Sequence, residues 1–254
     1  MMPARPRAAQ APSACLLLFT KPALPGRVKT RLIGALSPER AAELHEAFLG
    51  DLCERLVGGG QYELRLAWAL ADGEEPPPSA LPSVRQRGVD LGERLFTALA
   101  DAAREHELVA AVGSDHPELA AERVAEAFAA LASGADTGVS SGANPGADVV
   151  VGPATDGGYY LIAVRGAALD RRLFEDVPWS TGKVLEKTLD RCAELGLATE
   201  LLPPASDVDT PADLERLAAA LRDPATPACP RTAALLARWG FGPSRPSADL
   251  QAVP

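Results

Sequence analysis

The chain has only four cysteines in 254 residues, and no two of them stand at C-x-x-C spacing. Cys15 and Cys53 fall in apolar or helical patterns, where a buried reduced thiol is the ordinary reading, so a reducing cytoplasm is the expected compartment. No apolar run reaches membrane-spanning length, and the start, MMPARPRAAQAPSA, lacks the apolar stretch of a secretory signal; residues 1–13 read as a disordered leader. An excess of positive charge is also missing. The formal net charge is −9, which argues against a general nucleic-acid or anionic-membrane surface, because phosphate would be repelled except at a local basic patch. There is no internal repeat, no G-x-x-x-x-G-K-[ST] phosphate loop and no G-x-G-x-x-G dinucleotide fingerprint.

What is present is 47% hydrophobic residues, enough for one sizeable core. Short apolar runs alternate with amphipathic stretches. Strands are expected at Ala14–Thr20, Tyr62–Leu70, Leu108–Val112, Asp148–Val151, Tyr159–Val164 and near Ala198–Leu202. Helices are expected at Pro38–Leu56, capped by Ser37, and at Leu91–Arg104, Pro117–Leu131, Gly182–Leu195 and Pro211–Leu221. The loop DGEEPPPSALPS is too rich in proline for regular structure, and GADTGVSSGANPGA reads as a flexible loop. This alternation implies a mainly parallel sheet covered on both faces, a three-layer α/β/α sandwich. Residues 14–222 would form the functional domain, and 223–254 a Pro-rich tail with one short helix around Thr232–Trp239.

In such sheets ligands bind beyond the carboxyl ends of the strands, and several unusual segments fall there. FTKPALPGRVKTRL places Lys21, Arg27, Lys29 and Arg31 on a loop stiffened by Pro22 and Pro25 and turned by Gly26. Lys21, Lys29 and Arg31 can each neutralise a phosphate oxygen, which describes a polyphosphate cradle; the plain alternative is a solvated basic loop. GSDHP puts Asp115 just past a buried strand, where it can hold a hard divalent cation or, with Ser114, cap a helix starting at Pro117. His116 has no ligand partners at metal spacing and reads as exposed and incidental. Asp156, Gly157 and Gly158 form a turn between two apolar strands, a simple hairpin or a site for a polar small molecule. DVDTPADL offers Asp207 and Asp209 ahead of a helix, with capping by Asp209 or Thr210 set against a second metal carboxylate. In QRGVDLGERL, Gln86 could meet a base edge, with Gly88 and Gly92 allowing close approach, or Asp90 could cap the helix and leave Gln86 solvated.

Taken together and in order, over roughly residues 14 to 222, the strings FTKPALPGRVKTRL, QRGVDLGERL, GSDHP, VVVGPATDGGYYLI, LFEDVPWST and DVDTPADL resemble the DUF2064 family, also labelled rSAM/selenodomain-associated or arsenosugar-associated glycosyltransferase-like. The first loop is also similar to that of 2-phospholactate guanylyltransferases. The resemblance implies the glycosyltransferase A, or nucleotide-diphospho-sugar transferase, fold and an enzyme that uses a nucleotide donor with Mg²⁺ or Mn²⁺. Carried over by motif, it implies that Lys21, Gly26, Lys29 and Arg31 surround phosphate, that Gln86, Gly88 and Gly92 meet the nucleoside, and that Asp115 and Asp209 hold the metal, with Asp207 next in line. Asp156, Gly157, Gly158 and Tyr159 would face the acceptor, and Lys29, Arg31 and Asp115 would form the catalytic set. GSDHP departs from the pattern, with His116 where a small hydroxyl residue is expected. The density of cations in the first loop favours nucleotidyl transfer from a nucleoside triphosphate to a phosphorylated small molecule. Glycosyl transfer from a nucleotide sugar and nucleotide binding without turnover are the alternatives. No nucleic-acid or membrane partner is expected.

Overall fold

The computed structural model describes residues 14–58, 61–133 and 146–241. The leader at 1–13 and nearly all of the expected flexible loop lie outside them. The first strand, β1 (Ala14–Thr20), carries no charge and is buried along almost its whole length. A strand of this kind needs neighbours on both edges and cover on both faces. Its edges pair in parallel with β2 (Glu63–Trp68) and β4 (Leu108–Gly113). Outside β2 lies β3 (Ser83–Arg85), and beyond β4 come β6 (Tyr159–Arg165), β5 (Val149–Pro153) and β7 (Thr199–Leu201), giving the order β3-β2-β1-β4-β6-β5-β7. Only β6 runs against its neighbours, because the short turn after β5 makes a hairpin. The expected mainly parallel sheet is what forms.

Alternate residues of β1 divide the core. Leu16 and Leu18 face Leu52 and Leu56 of α1 (Pro38–Gly58) and Val124, Ala127 and Leu131 of α3 (Ala121–Ala132). Cys15 and Leu17 face Leu95, Leu99 and Ala102 of α2 (Leu91–Ala102) and Cys192 of α4 (Val184–Glu194). These are the three layers. A further apolar cluster lies on the outer side of α1, where Leu44 and Phe48 meet Leu214 and Leu217 of α5 (Pro211–Ala220) and Leu235 and Leu236 of α6 (Pro230–Arg238). The helix expected in the tail is therefore docked on α1. Asp51 of α1, only 2% exposed, accepts hydrogen bonds from the Arg231 and Thr232 backbone N–H groups, both at 2.9 Å, and from the Thr232 hydroxyl at 2.6 Å. That carboxylate satisfies the open N–H groups at the start of α6.

Two expectations need correction. β3 was not foreseen, since three residues with exposed ends show no alternation to detect. The helix expected from Pro117 begins at Ala121 instead, and residues 117–120 form a turn whose Leu119 amide donates to the His116 carbonyl at 3.1 Å.

Candidate functional site

All the suspected segments emerge at one edge of the sheet, the end where β1, β2, β4 and β5 terminate. The loop after β1 turns at Gly26 (φ 76°) and delivers Lys29 in the left-handed region, φ 47° and ψ 39°, at the start of the 3₁₀ turn Thr30–Leu32. A non-glycine residue there is strained and is held by its surroundings. What holds it is its own side chain, which is 1% exposed. Its ammonium donates to the Val208 carbonyl at 2.7 Å and to Asp209 Oδ1 at 3.3 Å, lies 2.5 Å from Asp115 Oδ1, and stands 5.3 Å from the centre of the Phe48 ring. Lys29 thus joins the two carboxylates that the sequence offered as metal ligands.

Both carboxylates are free for this because neither caps a helix. α3 is preceded by Ala120 with no side-chain cap, so the capping role considered for Ser114 and Asp115 does not occur. Thr210 caps α5 in a reciprocal arrangement with Asp213, which leaves the Asp209 carboxylate outside the helix. The segment carrying Asp207 and Asp209 is tied across the strand ends: the Val208 amide donates to the Asp115 carbonyl at 3.0 Å, and the Ala205 amide to the Pro153 carbonyl at 2.9 Å. His116 is not exposed, as the sequence suggested, but 8% exposed. Its Nδ1 lies 2.9 Å from the Ser206 carbonyl and its ring stacks at 5.3 Å on Tyr160, so it anchors the same segment.

The electrostatics are uneven. Burial works to raise the Asp115 carboxyl, and the nearby Lys29 ammonium overcomes it and holds the group below the usual carboxylate range. Asp207 is pushed up to about 7, first by burial and then by the charges of Asp115 and Asp209. One ammonium does not balance these acids. Behind the loop, His45 is buried, and burial holds its imidazole below its ordinary value; Nε2 lies 3.1 Å from the Lys21 carbonyl and 3.2 Å from the Thr20 hydroxyl.

The other cations of the loop are placed differently. Arg27 pairs with Glu74 at 3.1 Å, Arg31 is 68% exposed on its side chain with Asp209 Oδ2 3.5 Å away, and Lys21 is exposed. Gln86 is not merely solvated: its amide donates to the Ala67 carbonyl at 2.8 Å and lies 3.4 Å from that of Thr20, fixing it across the ends of β1 and β2. Asp90 does cap α2, accepting from the Glu93 amide at 2.8 Å. Gly88 (φ 147°) lies against the first turn of α2, where a Cβ would come within 2.7 Å of the Arg94 nitrogen; a Cβ on Gly92 would come within 2.5 Å of the Phe174 carbonyl oxygen. Both glycines thus serve packing of the chain on itself.

On the other side of the carboxylates, Asp156 is exposed and accepts from the Gly158 amide at 2.9 Å. Gly157 (φ 89°) backs onto Gly182, whose carbonyl oxygen would lie 2.2 Å from a Cβ. Tyr159 does not join them at the open edge. Its ring belongs to the α2/α4 face, packed on Trp179, its hydroxyl has no exposed surface, and burial raises its pKa strongly. The acceptor role expected for Tyr159 thus lacks an exposed hydroxyl, and Asp156 keeps one exposed carboxylate.

A metal ion would need to be shared with substrate. Among the described residues no three Asp, Glu, His or Cys side chains converge to hold one. Mg²⁺ commonly takes one or two carboxylates and completes its shell with water and phosphate oxygens. Asp115 and Asp209, brought to one ammonium, fit that donor set.

Residues 60–181 match the family described as "Uncharacterized protein conserved in bacteria (DUF2064)". That match spans just under half of the chain. The chain is similar in structure to a "putative nucleotide-diphospho-sugar transferase" from Desulfovibrio desulfuricans G20, at TM-score 0.80 and 28% identity over 90% of this chain and 96% of that one. A cytidylyltransferase from Leptospira borgpetersenii serovar Hardjo-bovis follows at TM-score 0.54 and 12% identity, covering 92% and 98% of the two chains, and shares the fold. No curated protein matches the sequence. The chain therefore has the nucleotide-diphospho-sugar transferase fold and is a transferase enzyme. Among its described residues no helix is long and apolar enough to cross a membrane.

Proposed function

We propose that the protein is a Mg²⁺- or Mn²⁺-dependent nucleotidyltransferase, acting from residues 14–222 on a nucleoside triphosphate and a phosphorylated small molecule. The observation that carries this is the meeting of Asp115 and Asp209 beside the outward-facing Arg31 and Lys21, on the sheet edge where the fold class binds nucleotides. Lys21 and Arg31 would neutralise the triphosphate as it lies along the turn at Gly26. Gln86, its amide already committed to the strand ends, would offer its carbonyl oxygen to the base. Asp115 and Asp209 would hold the metal, which when bound supplies charge neutralisation at the phosphates. Asp156 and the Gly157–Gly158 turn would border the acceptor. An acceptor phosphate oxygen then bonds to the α-phosphorus, the bond from the α-phosphorus to the bridging oxygen breaks, and pyrophosphate leaves with the electron pair. Positioning and charge neutralisation suffice for this, and no protein nucleophile is required.

Glycosyl transfer from a nucleotide sugar is the second reading, favoured by the description of the Desulfovibrio relative. Incubation with Mg²⁺ and each nucleoside triphosphate or nucleotide sugar, with and without a pool of phosphorylated metabolites, separates the two. Pyrophosphate release supports nucleotidyl transfer, nucleoside diphosphate release overturns it in favour of glycosyl transfer, and binding without product overturns both. A cytoplasmic site of action agrees with four unpaired cysteines.

A further inference from the structure

The position of Lys29 carries an inference that rests on the reading of Asp115 and Asp209 as metal ligands. We propose that Lys29 is not a phosphate ligand but a built-in counter-cation for these two carboxylates, and that it makes divalent-metal binding depend on nucleotide.

An ammonium has three protons and no acceptor. Those of Lys29 face three oxygens, from Val208, Asp115 and Asp209, at 2.7, 2.5 and 3.3 Å. Nothing is left for a phosphate oxygen. The side chain cannot swing outward cheaply, since it is 1% exposed, lies against Phe48 and is tethered to a backbone already in the left-handed region. The exposed Arg31 and Lys21 are free to do what Lys29 cannot.

The charge count gives the consequence. Asp115, Asp209 and Lys29 together carry −1, where the two carboxylates alone would carry −2. The number of charged ligands is a main determinant of affinity for a hard cation. In the free protein a divalent cation meets a site already half neutralised. A nucleotide restores the missing negative charge and adds phosphate oxygens, so cation and nucleotide bind together. The ammonium meanwhile holds both carboxylates in place.

The test measures Mn²⁺ alone, by the loss of the free-ion spin-resonance signal, for the wild type, Lys29→Met and Lys29→Arg. Without nucleotide, Lys29→Met should bind Mn²⁺ at least tenfold more tightly than the wild type, and Lys29→Arg should stay near it. Lys29→Gln, which keeps donors for Val208 and one carboxylate but not the charge, should follow Lys29→Met and replaces it if the methionine variant does not fold. Equal or weaker Mn²⁺ binding in the uncharged variants overturns the proposal, as does wild-type Mn²⁺ binding that is equally tight with and without nucleotide. If no nucleotide binds at all, the functional reading fails, whereas the comparison in Mn²⁺ alone still decides the role of Lys29.

Discussion

The two ends of the central strands each gather cations among several acids, yet they treat charge in opposite ways. At the end where β2 and β4 begin, Arg65 lies 2.7 Å from Glu63 and 2.5 Å from Glu105, and His106 lies 3.3 Å from Glu63. The hydrogen bond from Arg65 holds the Glu63 carboxyl below its usual range, so the group is more comfortable ionised in the folded protein than outside it. At the end where the same strands finish, Asp207 is pushed up to about 7 by burial and by its acidic neighbours. One network closes on itself and supports the fold. The other is left short of positive charge, which agrees with the cation site proposed above.

That contrast can be broken at either end. The largest effect should come from Asp115→Asn or Asp209→Asn, each of which should cut product formation roughly 100-fold by removing charge from the metal and phosphate site. Melting temperature in EDTA should fall only modestly, because each variant leaves the buried Lys29 ammonium one carboxylate and the Val208 carbonyl; a collapse of folding at assay temperature would make the carboxylates structural. Arg65→Met should do the reverse, costing about 1 to 2 kcal/mol in denaturant unfolding by leaving the partly buried Glu63 without its guanidinium, while activity per folded molecule is kept. A smaller effect separates by pH. Because the folded Glu63 carboxyl lies below its unfolded value, its contribution is present above the unfolded pKa and lost as pH falls through the folded one. Glu63→Gln should therefore cost about 0.5 to 1 kcal/mol at pH 7 and progressively less as the pH is taken down below the ordinary glutamate range. An equal cost throughout would point to packing instead.

Much of the fold was legible because it rests on local periodicity. ACLLLFT and LVAAVG can only be buried strands, and the apolar spacing from Ala41 to Leu56 can only be one face of a helix. β3 escaped because its residues bury too little to leave a pattern. The start of α3 was misplaced because Ser114, Asp115 and Pro117 carry the composition of a capped helix, while the chain uses them to turn. In the site, the residue types and their common edge could be read, since each follows a strand. Which cation meets which acid could not. Lys29 and Asp209 are 180 residues apart, and their contact depends on the cross-strand ties of Val208 and Ala205, for which no local signal exists. The burial of His116 against Tyr160 and of Tyr159 against Trp179 has the same origin: on one strand adjacent residues go to opposite faces, and only the finished topology decides which face is open.

The glycine at the start of α2 also makes the protein its own optical probe. A Cβ on Gly92 would come within 2.6 Å of the Trp179 indole nitrogen, and the same indole meets the Tyr159 ring edge-on at 6.3 Å. Trp179 is thus wedged between the helix that follows Gln86 and the strand that leaves the Asp156 turn. Of the three tryptophans, Trp68 is 3% exposed within the sheet and Trp239 stands beside Arg40 on the α1 side. An occupant on either side of the carboxylates that shifts α2 or the Asp156 turn would change the surroundings of one indole in particular, so its emission would register binding without any attached dye.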